Sequence, residues 1–221
     1  MASLVASCAE IAAAYPIEFI FVNNGSTDNT GGAIEYHKKD FIGIQSLTID
    51  NNIGYGFGIL SGLNLCSGKY IGWTHADLQT DVNDILAIIP IVSALKDTEQ
   101  IFIKGKRMGR PITDKFFTVG MSIFETITFK RKLWDVNAQP TVFSRILFDS
   151  FIEPPKDFSL DLYAYVTATL SNYQVARIPV HFHARQHGKS SWNKGWTSKR
   201  KFIRRTIDFT FDLRRTLNAN N

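Results

Sequence analysis

The chain has 221 residues, 44% of them hydrophobic and 20% charged, which is long enough to bury one sizeable core and argues for one globular domain. Its two cysteines, Cys8 and Cys66, lie far apart without CxxC spacing, which argues against a disulfide framework or a structural zinc site and fits a reducing compartment. The formal charge of +5 comes entirely from the last fifth: residues 177–221 hold eleven Lys or Arg against two acids, while residues 1–176 hold fourteen against eighteen. An anionic partner for that end follows, whether nucleic acid, phospholipid or a phosphorylated substrate.

Residues 1–15 are rich in small side chains but lack a basic start and a long apolar run, and Glu10 interrupts them. They read as a helix of the domain rather than a signal peptide. Short apolar, β-branched runs at 19–22, 42–49, 70–74 and 101–104 have the character of strands. Between them, residues 28–38, 56–65 and 82–94 have helical length and spacing. This alternation implies βαβ units and a mostly parallel sheet with helices on both faces, whose ligands bind at the carboxyl ends of the strands. Beyond Lys104 come a strongly apolar stretch at 116–134, a Gln139-Pro140 turn and a helix-like run at 159–170. Residues 198–217 form a basic amphipathic helix candidate, with Phe202, Ile203, Ile207, Phe209, Leu213 and Leu217 on one broad face and Lys201, Arg204, Arg205 and Arg215 on the other. No window approaches the roughly 20 apolar residues needed to cross a bilayer.

Three polar loops follow the strands. Asn23-Asn24-Gly25-Ser26 joins a buried strand to a helix capped by Ser26 or Thr27, and its amides suit the edge of a base. Asn52-Ile53-Gly54-Tyr55-Gly56-Phe57-Gly58 is either a flexible turn or a backbone cradle near phosphate. The third loop, His75-Ala76-Asp77-Leu78-Gln79, ends an apolar strand with a carboxylate between His and Gln. It is either the capped start of a helix or a divalent-ion site completed by phosphates.

In this order and spacing the segments, with Ser67-Gly68-Lys69-Tyr70-Ile71, resemble glycosyltransferase family 2, especially its polyprenyl-phosphate sugar transferases such as the dolichol-phosphate mannose synthases. The resemblance spans about residues 17–190. It implies a GT-A fold, a Rossmann-like sheet that binds a nucleoside-diphosphate sugar with Mg²⁺ or Mn²⁺. On this reading Asn23, Asn24, Ser26, Asn52, Gly54, His75, Asp77, Gln79 and Arg107 bind the nucleotide sugar, and Asp77 and His75 hold the metal. Asp135, Gln139, Arg145 and Ser190 fall on the acceptor side, and Asp161, Arg185 and Lys189 are the catalytic candidates. Arg185, Lys189 and Ser190 belong to an Arg-x-x-Gly-x-Ser loop that in the family closes over the diphosphate.

The chain also departs from the family. Asn23 and Asn24 stand where the family has two acids, His75 stands for the first acid of the metal motif, and the family's opening strand would lie before Met1. The expected architecture is therefore an N-terminally shortened GT-A domain at 1–197 followed by a basic amphipathic helix at 198–221. The expected activity is inverting transfer to a polyprenyl-phosphate or glycan acceptor, in the cytoplasm at an anionic membrane surface. A phosphate acceptor needs no strong base, whereas a sugar hydroxyl would call on Asp161. A glycosyltransferase-like binding or scaffold protein is the alternative. Nucleic acid is not an expected partner, because the tail's aromatics lie on an apolar helix face rather than on a stacking platform.

Overall fold

The computed structural model describes residues 1–39, 41–77, 79–96, 100–109, 112–181 and 196–219. The sequence Phe-Ile-Phe-Val-Asn-Asn, rich in aromatic and β-branched residues, forms β1 (Phe19–Asn24). It pairs in parallel with β2 (Ile44–Ile49), Phe19 opposite Ile44 and Asn24 opposite Ile49. Parallel neighbours need a crossover, and α2 (Thr30–Lys38) supplies it. The opening helix α1 (Ala2–Ala14) buries Leu4, Val5, Cys8 and Ala9 with Phe21, Ile34 and Ile44 in a small core of its own.

The helix α3 (Tyr55–Leu65) leads to a second sheet of order β3-β5-β4-β6, built from β3 (Tyr70–Trp73), β4 (Ile101–Met108), β5 (Thr141–Ser144) and β6 (Gln174–His181). Strands β3, β4 and β6 share one direction, as a mostly parallel sheet requires. The unanticipated β5 runs against both its neighbours and makes the sheet mixed. At four residues, directly after a Gln139–Pro140 bond in the cis form, β5 is too short to announce itself by alternation. Strand β6 was hidden by Arg177 and Pro179. Its place at the sheet edge explains why proline is tolerated, since one side of an edge strand needs no ladder donor. In β4, Ile101 to Gly105 are buried without alternation, the mark of a strand covered on both faces.

Residues 82–94, expected as one helix, divide into a 3-10 turn (Val82–Ala87) and α4 (Ile89–Ser93). Pro90 stands in the first turn of the second piece, where it lacks the N–H an uninterrupted helix would use. The apolar run at 116–134 lies largely in α5 (Ile112–Phe129). A short α6 (Arg145–Asp149) and then α7 (Leu160–Leu170) follow, the latter buried along almost its whole length. The basic helix α8 (Trp196–Ala219) runs against α5. It buries Thr206, Thr210 and Leu213, with Phe209 and Leu217 packed on the main core around Phe102, Phe143 and α7. Among the described residues no helix is long and apolar enough to cross a membrane.

The two sheets are not hydrogen-bonded to each other: among the described residues β1 pairs only with β2, and β3 only with β5. They are linked instead by α3 and by Glu18. A Cβ on Gly58 would lie 2.9 Å from the Asn24 amide, and one on Gly62 would lie 2.8 Å from Val22, so these glycines let α3 lie close on β1. The Glu18 carboxylate accepts from the backbone N–H groups of Ser67 (2.5 Å) and Gly68 (3.2 Å) at the entrance to β3.

Candidate active site

At the carboxyl end of β1, Asn23 is buried and its Oδ1 accepts from the Ser26 N–H at 3.2 Å, closing the turn. Gly25 takes φ +68°, and a Cβ there would lie 2.3 Å from the Asn52 nitrogen; the first loop therefore sits directly on the second. Ser26 and Asn52 are exposed. The helix does not start at Ser26 or Thr27: α2 begins at Thr30, and Asp28 accepts from the Thr30 N–H (3.0 Å) and hydroxyl (2.5 Å). The Asn24 amide donates to the Gly54 carbonyl at 2.9 Å, while its Oδ1 is buried with no hydrogen-bond partner among the described residues. A buried acceptor without a donor is costly.

In the second loop, the glycines pack against the chain itself while Asn52 and Ile53 stay exposed. Gly54 (φ +151°) and Gly56 approach the chain's own segment 155–157, where added Cβ atoms would meet the Lys156 and Pro155 carbonyls at 2.3 and 2.5 Å. The Phe57 N–H donates to the Lys156 carbonyl at 2.9 Å, which fixes the start of α3.

Strand β3 delivers the third loop. Asp77 accepts from the Gln79 N–H at 3.2 Å, a local turn bond. The His75 imidazole meets the ring of Tyr55 at a tilt, centroids 5.8 Å apart and planes at 40°. No group of three or more metal-binding side chains occurs among the described residues. Of the residues expected to hold a cation, this loop offers one carboxylate, Asp77, and one imidazole, His75. Such a set fits a Mg²⁺ or Mn²⁺ ion whose other ligands are diphosphate oxygens and water.

Beneath this loop lies a buried polar cluster. The Tyr55 hydroxyl is 3.0 Å from Asp161 Oδ2 and 2.6 Å from the Gln139 amide. With its oxygen turned inward, that amide accepts from the Trp73 indole N–H at 2.9 Å and donates to the Trp73 carbonyl at 3.2 Å. Fully buried Lys104 donates to Thr141 Oγ1 at 2.8 Å and to Asp161 Oδ1 at 3.4 Å. Burial pulls the Lys104 ammonium down to about 8, against the opposing pull of Asp161. Burial, then the Asp161 charge, pushes the Tyr55 phenol well above the ordinary tyrosine range.

A second buried pair lies at the end of β4. Arg107 donates to Asp135 through Nε at 2.9 Å and through a guanidinium nitrogen, and its backbone N–H donates to the same carboxylate at 3.2 Å. Burial works to raise the Asp135 carboxyl, but the bonds and charge of Arg107, with Arg177 behind them, hold it below the usual carboxylate range. Arg177 also donates to the Trp134 and Gly105 carbonyls.

The structure thus brings Asn24, Gly54, His75, Gln139 and Asp161 into one chain of contacts through Tyr55, and joins Arg107 to Asp135. It takes Arg145 away from them. Because β5 is antiparallel, Thr141 pairs with Trp73 at the loop end of β3 while Ser144 pairs with Tyr70 at the opposite end. Arg145, next in the chain, spends its guanidinium on the carbonyls of Gly68 (3.2 Å) and Cys66, just past α3. Arg185, Lys189 and Ser190 lie outside the described residues. Sequence reasoning missed Tyr55, Lys104 and Arg177. A signal existed for Lys104, a charge set in the apolar run Ile-Phe-Ile-Lys-Gly, where it must find a partner.

These loops at strand ends, on an α/β sheet with helices packed against it, define a GT-A glycosyltransferase fold. The chain matches glucosyl-3-phosphoglycerate synthase from Mycobacterium tuberculosis in complex with phosphoglyceric acid, with a TM-score of 0.65 at 15% identity over 96% of this chain and 75% of that one. The same synthase in complex with Mn²⁺ and UDP-glucose gives 0.65 at 15% identity, over 95% and 74%. A mannosyltransferase from Pyrobaculum calidifontis in complex with GDP-mannose and Mn²⁺ gives 0.59 at 16% identity, over 85% of this chain and 55% of that one. Identities this low speak for the fold alone. No curated protein matches the sequence. The model of glycosyl transferase family 2 matches residues 1–153, more than half of the chain, and the chain belongs to that family. It is a nucleotide-sugar glycosyltransferase.

Proposed function

We propose that the enzyme transfers a sugar, with inversion at the anomeric carbon, from a nucleoside-diphosphate sugar to an acceptor that attacks through a phosphate oxygen, with a polyprenyl phosphate as the favoured class. The observation that carries the acceptor class is the burial of both acids expected beside it. Asp135 is held by Arg107, and Asp161 by Lys104 and Tyr55, so neither is set to take a proton from a sugar hydroxyl. A phosphate acceptor is already ionised at neutral pH and requires no base.

On the donor side, the Asn23-Asn24 loop at the carboxyl end of β1, with Gly25 seated on Asn52, is where the base of the nucleotide would dock. Asp77 and His75 would hold a divalent cation, which when bound neutralises the charge that develops on the departing diphosphate. The neighbours solved with Mn²⁺ and UDP-glucose or GDP-mannose support this reading. Arg185, Lys189 and Ser190 join it from the sequence alone, as groups that close over the diphosphate.

Peripheral membrane contact belongs to the same proposal. Ile123 and Ile127 are exposed one turn apart on α5, and Phe211 of α8, which meets Phe124 edge to face, is exposed beside them. Lys130, Arg131 and Lys132 follow α5, and Arg214 and Arg215 follow Phe211; all five are exposed. Such a mixture suits an anionic lipid surface.

The direct test of the donor site is nucleotide binding by titration calorimetry with and without Mn²⁺. Asp77→Ala should abolish the metal-dependent gain in affinity for UDP or GDP and leave the melting temperature of the unliganded protein unchanged. An Asp77→Ala protein that binds with the full metal-dependent gain would overturn the site.

A further inference from the structure

We infer that Tyr55 is a positioning residue for the cation site: its phenol, anchored from below by Asp161 and Gln139, fixes the plane of the His75 imidazole. This rests on the reading that His75 and Asp77 hold the cation. It adds a residue on α3 and a buried network reaching to β4 and α7.

The geometry runs outward from the core. Lys104 on β4 is tied to Thr141 of β5 and to Asp161 of α7. Thr141 pairs in register with Trp73, the last residue of β3, and the Gln139 amide meets both the Trp73 indole and the Tyr55 hydroxyl. The phenol is therefore held by the same elements that end two residues before His75. Its backbone is fixed independently, because Gly54 and Gly56 on either side lie against segment 155–157 and the Phe57 N–H is bonded to Lys156. The imidazole then meets the Tyr55 ring at a tilt, with centroids 5.8 Å apart and planes at 40°.

A tyrosine serving only to fill space would be matched by phenylalanine, and an apolar cluster of equal volume would be no less stable than this one. Here an ammonium, a carboxylate, a carboxamide and a phenol are all taken out of water around one ring. Burial of that kind gives orientation rather than cohesion. Groups that surround a ligand imidazole orient its ring and tune the metal, and Tyr55 acts here through ring contact.

The test is a double-mutant cycle read as Mn²⁺ affinity, by electron paramagnetic resonance of free Mn²⁺, with UDP and in parallel GDP present. Tyr55→Phe keeps the ring and frees it from its anchors, and should raise the free Mn²⁺ signal at equal total Mn²⁺, a loss of affinity. In a His75→Ala background the same change should have no further effect, because its route to the metal is gone. Circular dichroism melts identify the temperature at which every variant is folded. Gln139→Met, which removes the other polar anchor at similar volume, serves if Tyr55→Phe does not fold, and the same non-additivity is expected of it. Unchanged affinity in the anchor variant, or an equal loss with and without His75, would overturn the inference while Asp77→Ala still abolished binding. Wild-type affinity in Asp77→Ala and His75→Ala would overturn the cation reading and the inference with it.

Discussion

Lys104 and Glu125 are both buried ionisable residues, and their surroundings give them opposite consequences. Lys104 has Asp161 as counter-ion and Thr141 as acceptor, so Lys104→Met removes a charge and leaves Asp161 buried without its partner. Breaking a buried pair from one side costs about 3 to 5 kcal/mol, and urea denaturation at pH 7 should show a loss of that size. Glu125 on α5 is 4% exposed, and its Oε2 has no partner among the described residues. Burial pushes its carboxyl from 4.5 up to about 8. The folded protein thus keeps a proton that the unfolded chain releases, so stability is unaffected below about pH 4.5 and falls as the pH rises from there through 8. Glu125→Gln should match the wild type near pH 4.5 and exceed it at pH 8 by about a few kcal/mol, measured by denaturant titration at both pH values. Asn23 and Asn24 stood out in the sequence because they close the apolar strand β1, and Asp77 because it lies in the polar loop after β3. Tyr55 was not, since its partner Asp161 lies 106 residues further along the chain and only the fold brings them together.

Among the elements, the ones written in local patterns were legible and the ones created by pairing were not. Strands β1 to β4, α3 and α7 follow from hydrophobic runs bounded by turns. Strand β5 exists because β3 and β4 both offer an edge to it, and its direction alone decides that Gln139 faces the site and Arg145 does not. Helix α8 shows a further limit: the sequence displays an apolar face but does not say what covers it. Much of that face is committed to the core, so Leu213→Ala should cost about 2 to 5 kcal/mol in a thermal or urea melt and leave vesicle binding unchanged. Contact with anionic vesicles should depend instead on the exposed side chains of α5 and of the Phe211 side of α8. Ile123→Ser with Ile127→Ser, both at exposed positions, should weaken co-sedimentation with phosphatidylserine vesicles while the melting temperature holds. Unaltered co-sedimentation of that double variant would rule out α5 as the contact.

For the molecule as a whole, alternating strands and helices were enough to anticipate an α/β sheet, and the order of three polar loops was enough to anticipate the family. The mixed direction of the second sheet and its separation from the first were not written in any one segment. That separation has a consequence for cooperativity. The pair β1 and β2 leans on its own cluster of Leu4, Val5, Cys8, Phe21, Ile34 and Ile44, distinct from the core around Phe102 and Phe143. A two-stranded unit with a small private core is a natural candidate for opening without the rest of the protein. Amide hydrogen exchange at Phe21 and Val22 should accordingly outrun exchange at Phe102 and Ile103 in the unliganded enzyme. The Asn23-Asn24 loop rides on that less protected unit and meets α3 through Asn24 and Gly58. If the donor binds at the proposed site, a bound nucleoside diphosphate should then slow exchange in β1 more than in β4, because ligand binding suppresses the local unfolding of the unit it holds.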